Sequence, residues 1–222
     1  RYYMLHEMPF ANDGVFTYEL MIERTNSDLA NILGNLVNRT IAMDHKYFGG
    51  KIMAPTAAEP VDEELKAVAL AMPAKVEKKM DGLHVADAID EIFVLLRRAN
   101  KYIDETAPWV LAKEDGDKEQ LAAVMAHLAA SLRVVAHLIQ PFMMTTSNAI
   151  MEQLGLSGAF DLENLELSGF PENVTVISKG TPIFPRLDME EEIAYIQSQM
   201  TAGKPQEKEW IPEEVELKSE KD

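Results

Sequence analysis

Cysteine is absent from all 222 residues. That excludes a disulfide framework, a thiolate metal site and a thiol nucleophile, and it fits a reducing, cytoplasmic setting. Positive charge is scarce: 21 Lys and Arg stand against 37 Asp and Glu, a formal net charge of −16, with −6 in residues 1–115 and −10 in residues 116–222. A global basic footprint for nucleic acid is missing, and no DNA partner is expected; an RNA would have to be held by a local patch and by side chains that read bases. No window is read as reaching the ~18–20 apolar residues of a membrane span. Arg1-Tyr2-Tyr3-Met4-Leu5-His6 is no signal peptide, so no membrane partner is expected either. The chain opens without Met, which reads as a piece cut from something longer. What remains, 47% apolar and 26% charged residues with eleven Gly and eleven Pro, is an ordinary globular composition for one large domain or two small ones.

Catalytic signatures are equally sparse. The five histidines, His6, His45, His84, His127 and His137, form no Glu-x-x-His pair of the di-iron kind, and no metal site is expected. There is no Gly-rich phosphate loop and no Gly-x-Ser-x-Gly elbow. The acidic runs Asp62-Glu63-Glu64 and Glu190-Glu191-Glu192 open helical patterns, where they complement the helix dipole without catalysis.

Helical periodicity dominates from about Thr17 to Leu154, and the expected fold is an all-α helical bundle with an irregular C-terminal extension and a final helix. Asn26, Ser27 and Asp28 offer N-caps for a helix to about Asp44, with Leu29, Ile32, Leu33, Leu36, Val37 and Ile41 on one face. Pro60 begins the next helix, which runs to about Met80 with Pro73 expected to kink or break it. A helix from His84 to about Glu105 is halted by Pro108; another runs from Asp117 to Gln140, and Pro141 restarts a short one through Leu154. Beyond Gly155 the texture loosens: Val174-Thr175-Val176-Ile177 is the only strand-like run, and a last helix spans Asp188 to about Met200. Residues 201–222 read as a solvated acidic linker.

Within this scaffold a few side chains stand out. On a wheel of 100° per residue with Leu29 at zero, Asn35 falls at about 240° and Arg39 at about 280°, neighbours one turn apart at the rim of the buried stripe. An amide and a guanidinium fork there suit base edges, but by residue type alone solvent and a surface ion pair are the commoner roles for them. Trp109, directly after Pro108, is either a stacking platform or a plug under a loop. Arg97, Arg98 and Lys101 supply the densest positive charge of the first half, or simply a solvated helix face.

Several of these segments are familiar together. Asn26-Ser27-Asp28-Leu29-Ala30-Asn31 with Leu33-Gly34-Asn35-Leu36-Val37-Asn38-Arg39-Thr40 resembles the anticodon-helix signature of methionyl-tRNA synthetases, and Asn100-Lys101-Tyr102-Ile103-Asp104-Glu105-Thr106-Ala107-Pro108-Trp109 resembles the family's pattern around its anticodon-reading tryptophan. Arg1-Tyr2-Tyr3-Met4-Leu5 with Pro9-Phe10 and Asp13-Gly14 is similar to the segment after the KMSKS loop, and Gly180-Thr181-Pro182-Ile183-Phe184-Pro185-Arg186 to the return segment before the C-terminal helix.

The resemblance implies an anticodon-binding bundle over 16–155, a stem-contact remnant over 1–15, and an extension with a helix packing back over 156–200. It implies that Asn35, Arg39 and Trp109, with Pro108 fixing the indole, meet the CAU anticodon of tRNA(Met), and that Asn31 and Arg186 are further RNA-binding candidates. Neither a HIGH-type signature nor a KMSKS loop is present; Lys78-Lys79-Met80-Asp81-Gly82 is a superficial match. The family's catalytic domain, which uses ATP with magnesium, is therefore expected upstream as a partner within the same chain. This fragment is expected to need no cofactor and to be inactive alone. In the family an acidic linker like 201–222 often precedes an OB-fold tRNA-binding and dimerising module. Without the resemblance, a non-catalytic helical protein-interaction module fits the same composition, and a sister class I synthetase domain is a rival within the class.

Overall fold

The computed structural model describes residues 1–8, 13–113, 115–156 and 174–202. It divides into two units, Arg1–Leu187 and Asp188–Asp222. In the second, helix α9 spans Met189–Ala202, and Asp188 caps it by accepting the Glu190 and Glu191 amides at 3.0 Å.

In the first unit, a short helix α1 (Tyr2–His6) precedes a much longer helical run. Thr17 starts that run: its backbone is extended and its hydroxyl accepts the Leu20 amide at 3.1 Å, a side-chain N-cap. Helix α2 (Tyr18–Arg24) continues into a π-helical stretch, Thr25–Gly34, and then into α3 (Asn35–Phe48). Asn26, Ser27 and Asp28 are thus not caps but interior positions. Two of these side chains serve tertiary bonds instead: the Asn26 amide holds Leu187 at both backbone groups, and buried Asp28 accepts the Tyr2 hydroxyl at 2.9 Å, while Ser27 donates locally to Asp28. Gly49, at φ 63°, ends α3 in the left-handed conformation, and the amides of Gly49 and Gly50 return to His45 and Asp44.

Helix α4 (Pro60–Asp81) runs through Pro73, so of the expected kink or break the break does not occur. Met72 and Val76 on either side of the proline stay buried, so packing overrides the lost amide donor. Three residues join α4 to α5 (Val85–Thr106), and the two helices make the most extensive contact in the fold. After Ala107, in the left-handed region at φ 43°, come a four-residue helix α6 (Pro108–Leu111), then α7 (Lys118–Ile139), capped by Asp117, and α8 (Met144–Gln153), which starts three residues after Pro141. Among the described residues there is no strand. The Val174–Ile177 run makes a single antiparallel bridge, Lys51 to Thr175, and the fold is an all-α bundle.

Helix α7 is the spine. By length and composition it could cross a membrane (mean hydropathy 1.6), a correction to the reading of the sequence, but 94% of that window is buried inside the bundle. A helix apolar all round and enclosed by neighbours is a core helix. One polar cluster lies beside it. Fully buried Asp62, in the first turn of α4, accepts the Tyr102 hydroxyl at 2.5 Å, the Glu59 amide at 2.8 Å and the Gln120 amide at 3.1 and 3.3 Å. Burial works against its charge, yet the hydrogen bonds hold its carboxyl below the ordinary value. Asp62 does more than face a helix dipole: it ties α4, α5 and α7 together.

Candidate nucleic-acid interface

Asn35 opens α3 at the junction where π-helical winding gives way to α, and its own amide donates to Ala30, five residues back. The 100° wheel does not carry across that stretch, but Asn35 and Arg39 both lie in α3, so their one-turn relationship holds. Asn35 is exposed, as is Asn31 in the π stretch. Arg39 is about one-third exposed, and its Nη2 lies 3.8 Å from Asp104 on the last turn of α5. Asn38 faces the return segment instead, its Oδ1 close over Gly180, where a Cβ would stand 3.2 Å away. At Gly34 a Cβ would press on the Leu29 carbonyl at 3.0 Å, with Phe184 at an ordinary 3.8 Å. Arg186 is exposed next to Leu187, the residue that Asn26 clasps.

Pro108 is buried as the first residue of α6, and it leaves the Trp109 indole 48% exposed. The ring borders an open groove of about 300 Å³ shared with Lys46, Tyr47, Ala112 and Lys113. Its neighbours on α3 are thus not Asn35 and Arg39 themselves. They are residues seven and eight positions beyond Arg39, on nearly the same helical face and ~10 Å further along the axis. The ring is not sealed in the core, and the groove adjoins the helix that carries the asparagine–arginine pair.

Lys46, Tyr47 and Lys113 are the residues that the reading of the sequence passed over. The signal was present in the i+7 relation of Arg39 to Lys46. The cationic patch it did single out is spent internally. Arg98 pairs with Glu105 at 2.8 Å and Glu64 at 3.2 Å, Lys101 pairs with Glu105 at 3.0 Å, and Arg97 lies 5.8 Å over the Phe93 ring. Two histidines are engaged inside the fold. Burial pushes His127 below its ordinary value beside Asp62, and His45 bonds the Ile177 carbonyl; among the described residues no group of His, Asp and Glu is arranged to hold a metal.

An exposed indole beside lysine side chains on an all-α bundle is the kind of surface that meets RNA bases, and comparison with known proteins agrees. Residues 54–181 match the family described as the anticodon binding domain of methionyl tRNA ligase, and residues 1–41 match tRNA synthetases class I (M). The whole chain is 57% identical over 225 aligned residues to the methionine–tRNA ligase of Streptococcus pyogenes serotype M3 (strain SSI-1), and 51% identical over 227 to that of Enterococcus faecalis (strain ATCC 700802 / V583), covering 34% of each. Methionyl-tRNA synthetase of Mycobacterium tuberculosis in its apo form superposes with a TM-score of 0.76 at 30% identity, over 84% of this chain and 38% of that one. Its methionyl-adenylate complex gives 0.73 over 83% and 37%. The chain belongs to the family of methionyl-tRNA ligase anticodon-binding domains. It spans about a third of the length of the relatives it matches.

Proposed function

We propose that this chain reads the CAU anticodon of tRNA(Met) for a methionine–tRNA ligase, so that the longer enzyme charges that tRNA with methionine in an ATP-dependent reaction in the cytoplasm. The observation that carries this reading is the half-exposed Trp109 ring on a cationic groove, in a chain of this family. Single-stranded loops are read by splaying bases out, stacking them on aromatics and bonding their edges. Trp109 stacks the first anticodon base, an interaction worth ~1–3 kcal/mol that is indifferent to base identity. Identity comes from Asn35 and Arg39. Cytosine offers acceptors at O2 and N3, to which Arg39 donates; uracil has a donor at N3 that opposes the fork. Each buried group left unpaired costs ~1–3 kcal/mol. Pro108 sets the direction of the indole; Asn31 extends the same surface toward the loop, and Arg186 is the outermost contact. The catalytic domain of the same enzyme and an OB-fold tRNA-binding module after the acidic tail complete the proposed set of partners.

The test is a titration of the chain with labelled stem-loops bearing CAU or UAU. Tighter, salt-dependent binding of CAU supports the reading. Equal affinity for both, or none for either, overturns it in favour of a protein-interaction module.

A further inference from the structure

A helix of four residues cannot hold itself in water, so α6 and the indole it carries must be aimed from its two ends. At the entry, α5 closes with the Thr106 hydroxyl donating to the Tyr102 carbonyl at 2.7 Å and the Ala107 amide to the Ile103 carbonyl at 3.0 Å. Ala107 itself sits at φ 43°, a left-handed conformation that a residue with a side chain keeps only where its surroundings impose it. At the exit, a Cβ on Gly116 would stand 2.1 Å from the Leu111 carbonyl oxygen and 3.0 Å from that of Val110. Gly116 lies outside the left-handed region, so its bare backbone serves this close approach and not a turn. Lys118 adds its ammonium to the Ala112 carbonyl at 2.9 Å.

Both ends meet in the core at one carboxylate. Tyr102, one turn before Thr106, donates to Asp62 at 2.5 Å, and Gln120, in the first turn of α7, donates to it at 3.1 and 3.3 Å. All three side chains are more than nine-tenths buried. Asp62 is anchored apart from them, on α4, by the Glu59 amide at 2.8 Å. One fixed acceptor thus sets the spacing between the end of α5 and the start of α7, and α6 hangs between those two ends.

We infer that Asp62, Tyr102, Gln120 and Gly116 are positioning residues for Trp109: they form a clamp that holds α6 in one orientation before RNA arrives. Binding then spends little on ordering the ring. The inference rests on the anticodon reading for its RNA, but it assigns different residues and a different task, because Asp62, Tyr102 and Gln120 are buried out of reach of any base.

The test uses the 222-residue chain with Trp210→Phe, which leaves Trp109 as its sole indole, and CAU and UAU stem-loops. Gln120→Met keeps the length of the side chain and drops the amide donor. Gly116→Ala leaves the core untouched and forces the Leu111 carbonyl to shift. Each should lower the fluorescence anisotropy of Trp109 in the absence of RNA. Each should also weaken CAU binding about fivefold, part of what stacking supplies, at a urea concentration where both chains are folded. Added to Trp109→Ala, neither should cost more than about twofold, because the ring they aim is gone. A role confined to stability would leave the anisotropy alone and take the same toll with or without the ring. The inference is overturned if Gly116→Ala keeps the parent's anisotropy or binds CAU within about twofold of it, or if its loss repeats in full on Trp109→Ala. Should Gln120→Met fail to fold, Gly116→Ala decides alone. If the parent binds CAU and UAU equally, or neither, the anticodon reading falls, and the anisotropy by itself decides the clamp.

Discussion

The guanidinium of Arg39 stands 3.8 Å from the carboxylate of Asp104, which projects from the last turn of α5 and is 71% exposed. The side chain proposed to read a base is therefore already leaning on an acid that an incoming RNA would find repulsive. The pair is too long and too wet to matter for folding, since exposed ion pairs contribute ~0–1 kcal/mol. Asp104→Asn should leave the urea midpoint unchanged and tighten stem-loop binding roughly two- to fivefold at low salt, a gain that fades as salt screens it. Weaker binding would mean that Asp104 aims Arg39 rather than competing for it.

Arg39→Gln tests the fork directly. Glutamine keeps length and polarity but loses the charge and the paired donors. The affinity ratio of CAU to UAU loops should shrink by about tenfold, on the order of one unpaired buried group. Equal losses for both loops would make Arg39 a phosphate contact instead.

Trp109 is the cheapest residue to remove. Its indole is 48% exposed on a four-residue helix, so Trp109→Ala opens no cavity in the bundle core. The helical signal and melting temperature should hold, while stem-loop affinity drops about fivefold to a hundredfold through lost stacking. An unchanged dissociation constant counts against the whole assignment.

The bundle itself was legible because its helices obey one period and are punctuated where physics demands, at Pro60, Gly82, Pro108 and Asp117. The π stretch was not, since apolar residues spaced like Leu29 and Leu33 suit either winding. Asn26 and Asp28 misled for a related reason: the chemistry that caps a helix also clasps a distant backbone or tyrosine, and only tertiary structure says which. The Arg97–Lys101 cluster misled because one of the acids neutralising Arg98, Glu64, sits on another helix. Lys46 and Tyr47 were missed because their partner Trp109 is more than sixty residues away. Asn100, quoted only as part of a motif, turns out to tie α5 to the π stretch by donating to the Ile32 carbonyl at 3.2 Å.

Tyr102→Phe should destabilise the bundle by ~1–3 kcal/mol at neutral pH, because it strips one donor from a fully buried carboxylate. Asp62 has a folded value below its ordinary 3.8, so its stabilisation is complete above that value and is lost as pH falls through the folded one. The gap between parent and variant in urea midpoint should therefore narrow only below pH 3.8. A gap that closes already at pH 6 would point to His127 instead.

Asp44 should behave in the opposite sense. It lies on α3 at 1% exposure, with neither carboxylate oxygen hydrogen-bonded among the described residues. Burial pushes its value up from 3.8 to about 6, with His45 pulling weakly the other way. The folded state thus holds this proton more tightly than the unfolded chain does. Between pH 3.8 and about 6 the native state binds more protons, so its contribution is most favourable below that window, falls as pH rises through it, and is level above. At 1.36 kcal/mol per unit the penalty at neutral pH is on the order of 2–3 kcal/mol. Asp44→Asn keeps the shape and removes the charge. Its urea midpoint should exceed the parent's at pH 7.5 and meet it near pH 4. A difference that stays constant across that range would show that Asp44 is charged and compensated at every pH, and that the unpartnered carboxylate is not a cost the fold carries.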